Sequence, residues 1–525
     1  MAHTGAGGPA EDAGTLVVAA QALPLTFDPD DFLPDHPAED SDVAIQLFDR
    51  LLTYEDGDDG TGRSQDLGRL RGELAESWEV EDGGRRHLLR LRPVRSEHGH
   101  ALGAEDVAWS WRRGIERRQV GRWVAFMGSV PRRWRPGCEV RARDDATVEF
   151  TLEKPNRLFP HLLTMQVPPV IDRRAAEPNA TESDPTAGSW LREVAAGYGP
   201  YAVAGRSERE LVLEARDDRG LPPPPLRRIV YRLLGEGRSR VDALIDGEVD
   251  LLFEPTAQEQ RRLAASAAPG GPVELFRARG NAHVALQMDA RRAPFDDLEV
   301  RRALALAVPY GEIVEEVYGD AARPWRGVVP DTHNGYVEAV AIREDPEAGR
   351  AALARSGRRS LSAELYCDAS APDLVAVAER IASAAGRSGI ELDVRPLATG
   401  DFKSRQVAFE MPLAVDRDGH RCNEIGYGLP HDFGDRRHGI TNWVQYANAD
   451  VDALIERAEE EGDAAARLQL FERAQHLVAA DVPWAFLAQP YFCVAHRRGL
   501  SGLSWHSRLG GHPRYADLSW ANGAP

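Results

Sequence analysis

The chain has 525 residues, 42% of them hydrophobic and 28% charged, with a formal net charge of −19. That length is ample for a large core and too great for one simple domain, so two or three lobes are expected. The acidic balance argues against general nucleic-acid binding, which rests on neutralising phosphates, and no run approaches the ~18 apolar residues of a membrane helix.

In chain order, Met1 to Gly14 is small, polar and acidic, with neither a basic n-region nor an apolar h-region. A disordered lead over 1–13 is expected, without a secretion signal or a lipoprotein cysteine. Leu16 to Leu23 reads as a first strand, and Gly57 to Arg69 as a solvated turn region between two elements. Trp111 to Trp123 carries arginines among tryptophans, which reads as a basic helix face with aromatic anchors in the core. Pro178 to Ser189 is a polar loop. Pro222 to Pro225 must be extended, because each proline removes a donor and restricts its predecessor. A strand follows, with Ile229, Tyr231 and Leu233 alternating.

The clearest local signal lies in the second half. Val284, Leu286 and Met288 alternate like a half-buried strand. Asp296 and Glu299 have capping-box spacing, and Val300, Ala303, Leu304, Ala307 and Val308 form one apolar helical stripe. Strands then alternate with helices, as in Ala363 to Cys367 followed by Leu374 to Ala385, which predicts an α/β lobe with a mainly parallel sheet. Val451, Leu454, Ile455 and Ala458, then Leu470, Phe471, Ala474, Leu477 and Val478, predict two helices across a Gly-Asp break.

Asp416-Arg-Asp-Gly-His-Arg-Cys422 is the most suggestive polar cluster. In an extended segment Asp416, Asp418, His420 and Cys422 point one way, and Arg417 and Arg421 the other. Aspartate suits an ammonium and arginine a carboxylate, so a zwitterion fits this chemistry. The mixed donors also suggest a metal, but Asp-x-Asp-Gly lacks the remaining positions of a calcium loop, and no metal or cofactor is expected. Cys138, Cys367, Cys422 and Cys493 show no zinc spacing and read as lone buried thiols. No G-x-S-x-G, phosphate loop, G-x-G-x-x-G or H-E-x-x-H motif is present.

Several dispersed segments share one resemblance. Leu16 to Pro29, Phe48-Asp-Arg-Leu-Leu-Thr-Tyr54, Leu74-Ala-Glu-Ser-Trp78, Ala104-Glu-Asp-Val-Ala-Trp-Ser110, Gly197-Tyr-Gly-Pro-Tyr201, Leu244-Ile-Asp-Gly-Glu-Val-Asp250, Pro294 to Val308 and Asn448-Ala-Asp-Val-Asp-Ala-Leu454 occur in the order found in the family 5 solute-binding proteins. The chain resembles these peptide and nickel receptors of bacterial ABC importers from about residue 15 to near its end. The resemblance implies an α/β, two-lobed type II periplasmic-binding-protein fold with an additional inserted subdomain. Lobe I would take 14–43, 165–275 and 487–525, the inserted subdomain 44–164, and lobe II 276–486. It implies capture of a peptide or small polar zwitterionic ligand between closing lobes, with Phe27, Asp416, Asp418, Arg421 and Trp443 as ligand-binding residues. Tyr198 and Tyr427 are further candidates for stacking. Peptide-binding members carry a W-x-x-D-Y-x-D-P type sequence near 416–422, and this chain departs from it. An ABC-importer permease is the implied partner, and a monomer is expected. The implied location is extracytoplasmic, or cytoplasmic if Met1 is the native start. Two rivals remain: a cytoplasmic enzyme of specialised metabolism on the same scaffold, and a ligand-sensing protein.

Overall fold

A computed structural model describes residues 14–31, 38–58, 63–117, 138–165, 168–235, 237–435, 441–507 and 511–521. The expected lead over 1–13 and the end of the Trp111–Trp123 segment lie outside them. Among the described residues, a twelve-stranded sheet runs through both halves of the molecule. Its main path is Ile390–Leu397, Leu361–Asp368, Leu413–Gly419, Ala282–Met288, Trp484–Arg497, Leu251–Phe253, Thr15–Ala20, Arg228–Leu233, Glu210–Ala215 and Tyr201–Arg206.

The long strand Trp484–Arg497 joins the halves. Its start pairs antiparallel with Ala282–Met288, while its end pairs with Val273–Arg279 and Leu251–Phe253. The chain therefore passes between the halves at Gly280–Asn281 and again at Gln489–Pro490. The second half is a mixed sheet rather than the mainly parallel one expected. Leu361–Asp368 is parallel to both neighbours, but Ala282–Met288 is antiparallel to Leu413–Gly419 and to Trp484–Arg497. Helical crossovers impose parallel pairing only on the strands that they connect, and Ala282–Met288 enters from the other half of the sheet.

A separate four-stranded antiparallel sheet, Ala75–Glu81, Arg86–Leu91, Thr147–Thr151 and Val140–Ala142, packs against the helix Ala104–Arg117. Trp111 is buried against Phe150 and Phe159, as its anchor role requires. Gly57 to Arg69 is not simply a turn region. Leu52–Asp58 and Arg63–Gly72 pair antiparallel through it. Its polar composition hid a ladder that needs only backbone groups.

The stripe of Val300, Ala303, Leu304, Ala307 and Val308 is fully buried in one core with Val284, Leu286 and Met288. Its cap sits one residue later than the spacing predicts. Asp297, not Asp296, accepts from the Glu299 N–H at 2.9 Å, and the helix runs Leu298–Ala307. Asp296 lies in the preceding turn, with its N–H on Arg292. Glu299 instead faces Arg302 and Arg355 at 2.8 and 2.7 Å. The two late helices are Ala449–Glu460 and Ala464–Asp481, capped by the side chains of Asn448 and Asp463. All four cysteines are buried.

One buried carboxyl gives a pH signature. Asp42, 3% exposed, accepts from Tyr515 Oη at 2.8 Å and Gln46 Nε2 at 3.3 Å. Burial pushes its pKa up from 3.8 to about 7, against the opposing hydrogen bond from Tyr515. The folded protein thus holds a proton that the unfolded chain releases. This favours folding below about pH 4, and the contribution is lost as pH rises through about 7. Urea unfolding at pH 5 and pH 8 is expected to show wild type losing more stability than Asp42→Asn. The difference should approach about 1.4 kcal/mol per pH unit within that window. Equal losses in the two proteins would contradict the assignment.

Candidate ligand-binding cleft

A cavity of about 850 Å³ opens where the chain crosses between the halves. One side is built from the segment 254–261, Pro490 to Cys493 and Trp505, the other from Asn281, Tyr318, Asp373, Arg380 and 417–421. The volume falls in the ordinary range for sites that enclose small molecules, about 300–1,000 Å³. Both charge signs face it. Glu254 follows the strand Leu251–Phe253 with φ of 41°. Asp373 accepts from Tyr318 Oη at 2.9 Å and pairs with Arg417, and Arg380 pairs with Glu316. Arg421 and Asp418 lie at the end of Leu413–Gly419. Burial works to raise the pKa of Asp418, but His431, His283 and Arg421 outweigh it and hold the carboxyl below its usual value. Asp418 is therefore a carboxylate at neutral pH.

Histidines lie behind this wall. The strand register sets His283 opposite Asp418. Asn281 donates to Asn423 Oδ1 at 2.8 Å and also to the His420 carbonyl, which fixes the turn after the strand. The helix Ile425–Phe433 then brings back His431 and Asp432. His420 Nε2 lies 3.0 Å from Asp432 Oδ2, its Nδ1 lies 2.8 Å from His333 Nε2, and His431 Nδ1 lies 2.8 Å from Asp432 Oδ1. Burial pushes His283, His333 and His431 below the ordinary imidazole pKa. A Cβ on Gly428 would meet His333 Nε2 and His420 Nδ1, both at 2.8 Å, so glycine leaves the room this ring pair occupies.

A family profile described as "Bacterial extracellular solute-binding proteins, family 5 Middle" matches residues 69–424. The chain belongs to this family. A curated relative, the peptide transport periplasmic protein SapA of Salmonella typhimurium, is 26% identical over 490 residues, covering 88% of this chain and 84% of the relative. The di/tripeptide-binding protein 2 of Pseudomonas aeruginosa is 25% identical, covering 93% and 92%. The periplasmic binding protein DppA of Helicobacter pylori, solved in complex with the peptide STSA, superposes with a TM-score of 0.81 at 20% identity, covering 97% and 98%. The type II two-lobed α/β fold expected from the sequence is thus the fold of this solute-binding protein. Among its described residues no helix is long and apolar enough to cross a membrane.

Of the five residues singled out in the sequence, the cavity brings together Asp418 and Arg421. Phe27 is 5% exposed within the core around Leu16, Phe48 and Tyr201, with the Arg206 guanidinium 5.8 Å from its ring. Asp416 is buried in the strand Leu413–Gly419, its Oδ2 accepting from Gln406 Nε2 at 2.6 Å and its Oδ1 3.5 Å from Lys403. Trp443 is half-buried in the turn after Thr441. None of these three lines the cavity. Tyr198 and Tyr427 are buried in the core that holds Trp111, Phe150 and Phe159. The expected row of Asp416, Asp418, His420 and Cys422 does not form. The strand stops at Gly419, the alternation ends there, and Cys422 turns to Tyr54 Oη, 3.8 Å away. Glu254, Asp373, Arg380, Tyr318 and Tyr491 were missed, since nothing in their local spacing marks a site.

Proposed function

We propose that this solute-binding protein captures a short peptide or peptide-like zwitterion between its lobes and presents it to an ABC-importer permease outside the cytoplasmic membrane, acting as a monomer. The observation that carries this reading is the cavity at the crossing strands, walled from both sides and lined by Asp418 together with arginines. We assign Asp418 to the ligand ammonium, and Arg421 together with Arg417 to its carboxylate. Tyr318, Tyr491 and Trp505 supply apolar walls. Residues 14–43, 165–275 and 487–525 are taken as lobe I, 44–164 as the inserted subdomain and 276–486 as lobe II. A ligand that touches both sides only when the lobes are closed shifts the balance by its differential affinity.

Calorimetric titration with matched di- and tripeptides tests the ammonium assignment. Peptides with a free amino end are expected to bind, and their N-acetylated forms to lose at least tenfold in affinity. Equal affinity for both forms would overturn it.

The lobe crossing has its own clamp. Arg323 Nη2 donates to the Gly280 carbonyl at 3.2 Å and Nη1 to the Gln489 carbonyl at 3.3 Å, while Nε donates to Asp331 at 2.9 Å. One guanidinium thus holds both crossing segments. Arg323→Ala is expected to loosen the hinge, giving a larger radius of gyration for the ligand-free protein in solution scattering. An unchanged radius would show that the clamp does not set the lobe angle.

A further inference from the structure

We propose that His283, His420 and Asp432 form a binding site for a divalent transition-metal ion, zinc in the test below, inside the wall of lobe II behind the ligand cavity. Their ligand atoms lie within 4.8 Å of one another, and the residues are 1%, 2% and 1% exposed. These donors come from a strand, a turn and the end of a helix, so no sequence spacing reveals them. Two imidazoles and a carboxylate suit zinc and its neighbours rather than calcium or magnesium.

The surroundings match what a metal-ligating histidine needs. A ligand histidine usually engages its second ring nitrogen with a fixed partner, which orients the ring and sets its tautomer. His283 Nδ1 lies 3.1 Å from the Asn281 carbonyl, and its Nε2, buried, makes no hydrogen bond. His420 Nδ1 faces His333 Nε2, leaving Nε2 toward Asp432 Oδ2. Asp432 Oδ1 is held by His431 Nδ1, so the carboxylate is oriented as well. Without the ion, a proton on His420 Nε2 bridges to Asp432. With it, the His420 Nε2 lone pair binds the metal and the ring proton sits on Nδ1, donating to His333 Nε2, while His333 carries its own proton on Nδ1. No net proton is gained or lost in that exchange of tautomers. Contraction of the donors to the 2.0–2.2 Å bonds of zinc requires only side-chain movement of about an ångström. Asp418, His431 and Asp432 form a second close group that shares Asp432. Three protein donors leave a coordination position open to water or a solute group. Asp418 and His420 also line the cavity, so the ion would lie against the bound ligand. The site stands on its own residues and does not depend on the ligand being a peptide.

The test uses the full chain without a histidine tag, stripped with chelator, incubated with Zn²⁺ or Co²⁺ and desalted. About one equivalent of metal is expected to remain, and the cobalt form is expected to show a visible d–d band. His283→Gln and Asp432→Asn, each checked by circular dichroism, should weaken retention at least tenfold and abolish the band. His476→Gln, at an exposed helix position, should leave both unchanged. Retention below a tenth of an equivalent by the wild type would overturn the proposal, whether or not the variants fold. So would full retention by a folded His283→Gln protein, which would place the metal elsewhere.

Discussion

Asp418→Asn is expected to weaken ligand binding by about 2–4 kcal/mol, roughly 30- to 1,000-fold. The carboxylate stands at the end of the antiparallel pair Ala282–Met288 and Leu413–Gly419, in the wall of the cavity, with its pKa held below the usual carboxylate value. A ligand ammonium that leaves water to reach it needs that charge to offset its own desolvation. Asparagine keeps the size but loses the charge, so most of the cost falls on affinity. The comparison that isolates this effect is Asp416→Asn. That side chain is held by Gln406 and Lys403 outside the cavity lining, so its replacement should alter stability and leave affinity within a few-fold. Calorimetry on both variants checks the pair. Similar affinity losses at 416 and 418 would mean that the strand, rather than the Asp418 charge, carries the effect.

Arg113→Met is expected to destabilise the protein by about 3–5 kcal/mol, because it removes the closest cation from buried Asp28 and Asp30 and leaves them only Arg117, 3.2 Å from Asp28. Arg113 donates Nη2 to Asp28 Oδ2 at 2.6 Å and Nη1 to Asp28 Oδ1 at 3.0 Å, and it also pairs with Asp30. Arginine and both aspartates are almost wholly out of solvent. Burial already pushes Asp30 up from 3.8 to about 6 against the pull of Arg113, and removing the guanidinium removes that pull. The ion pair fastens the helix Ala104–Arg117 to the segment after the first strand, so the loss should appear as reduced cooperativity as well as a lower unfolding midpoint. Asp28→Asn with Asp30→Asn in the Arg113→Met background should recover much of it, since the two buried carboxylates that Arg113 balances are then neutral. A loss below about 1 kcal/mol in urea unfolding would contradict the account.

The parts of the fold that the sequence announced are those in which local pattern and burial agree. The alternation at Val284, Leu286 and Met288 and the stripe from Val300 to Val308 are both buried in one core, and no long-range information is needed to read either. The Asp297 cap and the hairpin through Gly57 to Arg69 were misread because each depends on which backbone groups happen to pair. Within 416–422 the composition is that of a polar site, but strand alternation holds only as far as Gly419, where the strand stops. Phe27 looked like a stacking surface because an aromatic beside a turn serves either a ligand or a core, and only packing decides. The cavity itself could not be read from spacing. Glu254, Tyr318, Asp373, Asp418, Tyr491 and Trp505 are drawn from six stretches that meet only where strands change partners. The same holds for His283, His333, His420 and His431, which the fold alone brings together.

Native mass spectrometry of the purified chain with an equimolar pool of di- to pentapeptides tests the central claim most directly. The account predicts a one-to-one complex with a subset of the peptides. Each should be released with its mass unchanged, and binding should be strongly reduced in Asp418→Asn. Absence of any peptide complex, or release of a peptide with altered mass, would contradict capture without chemistry.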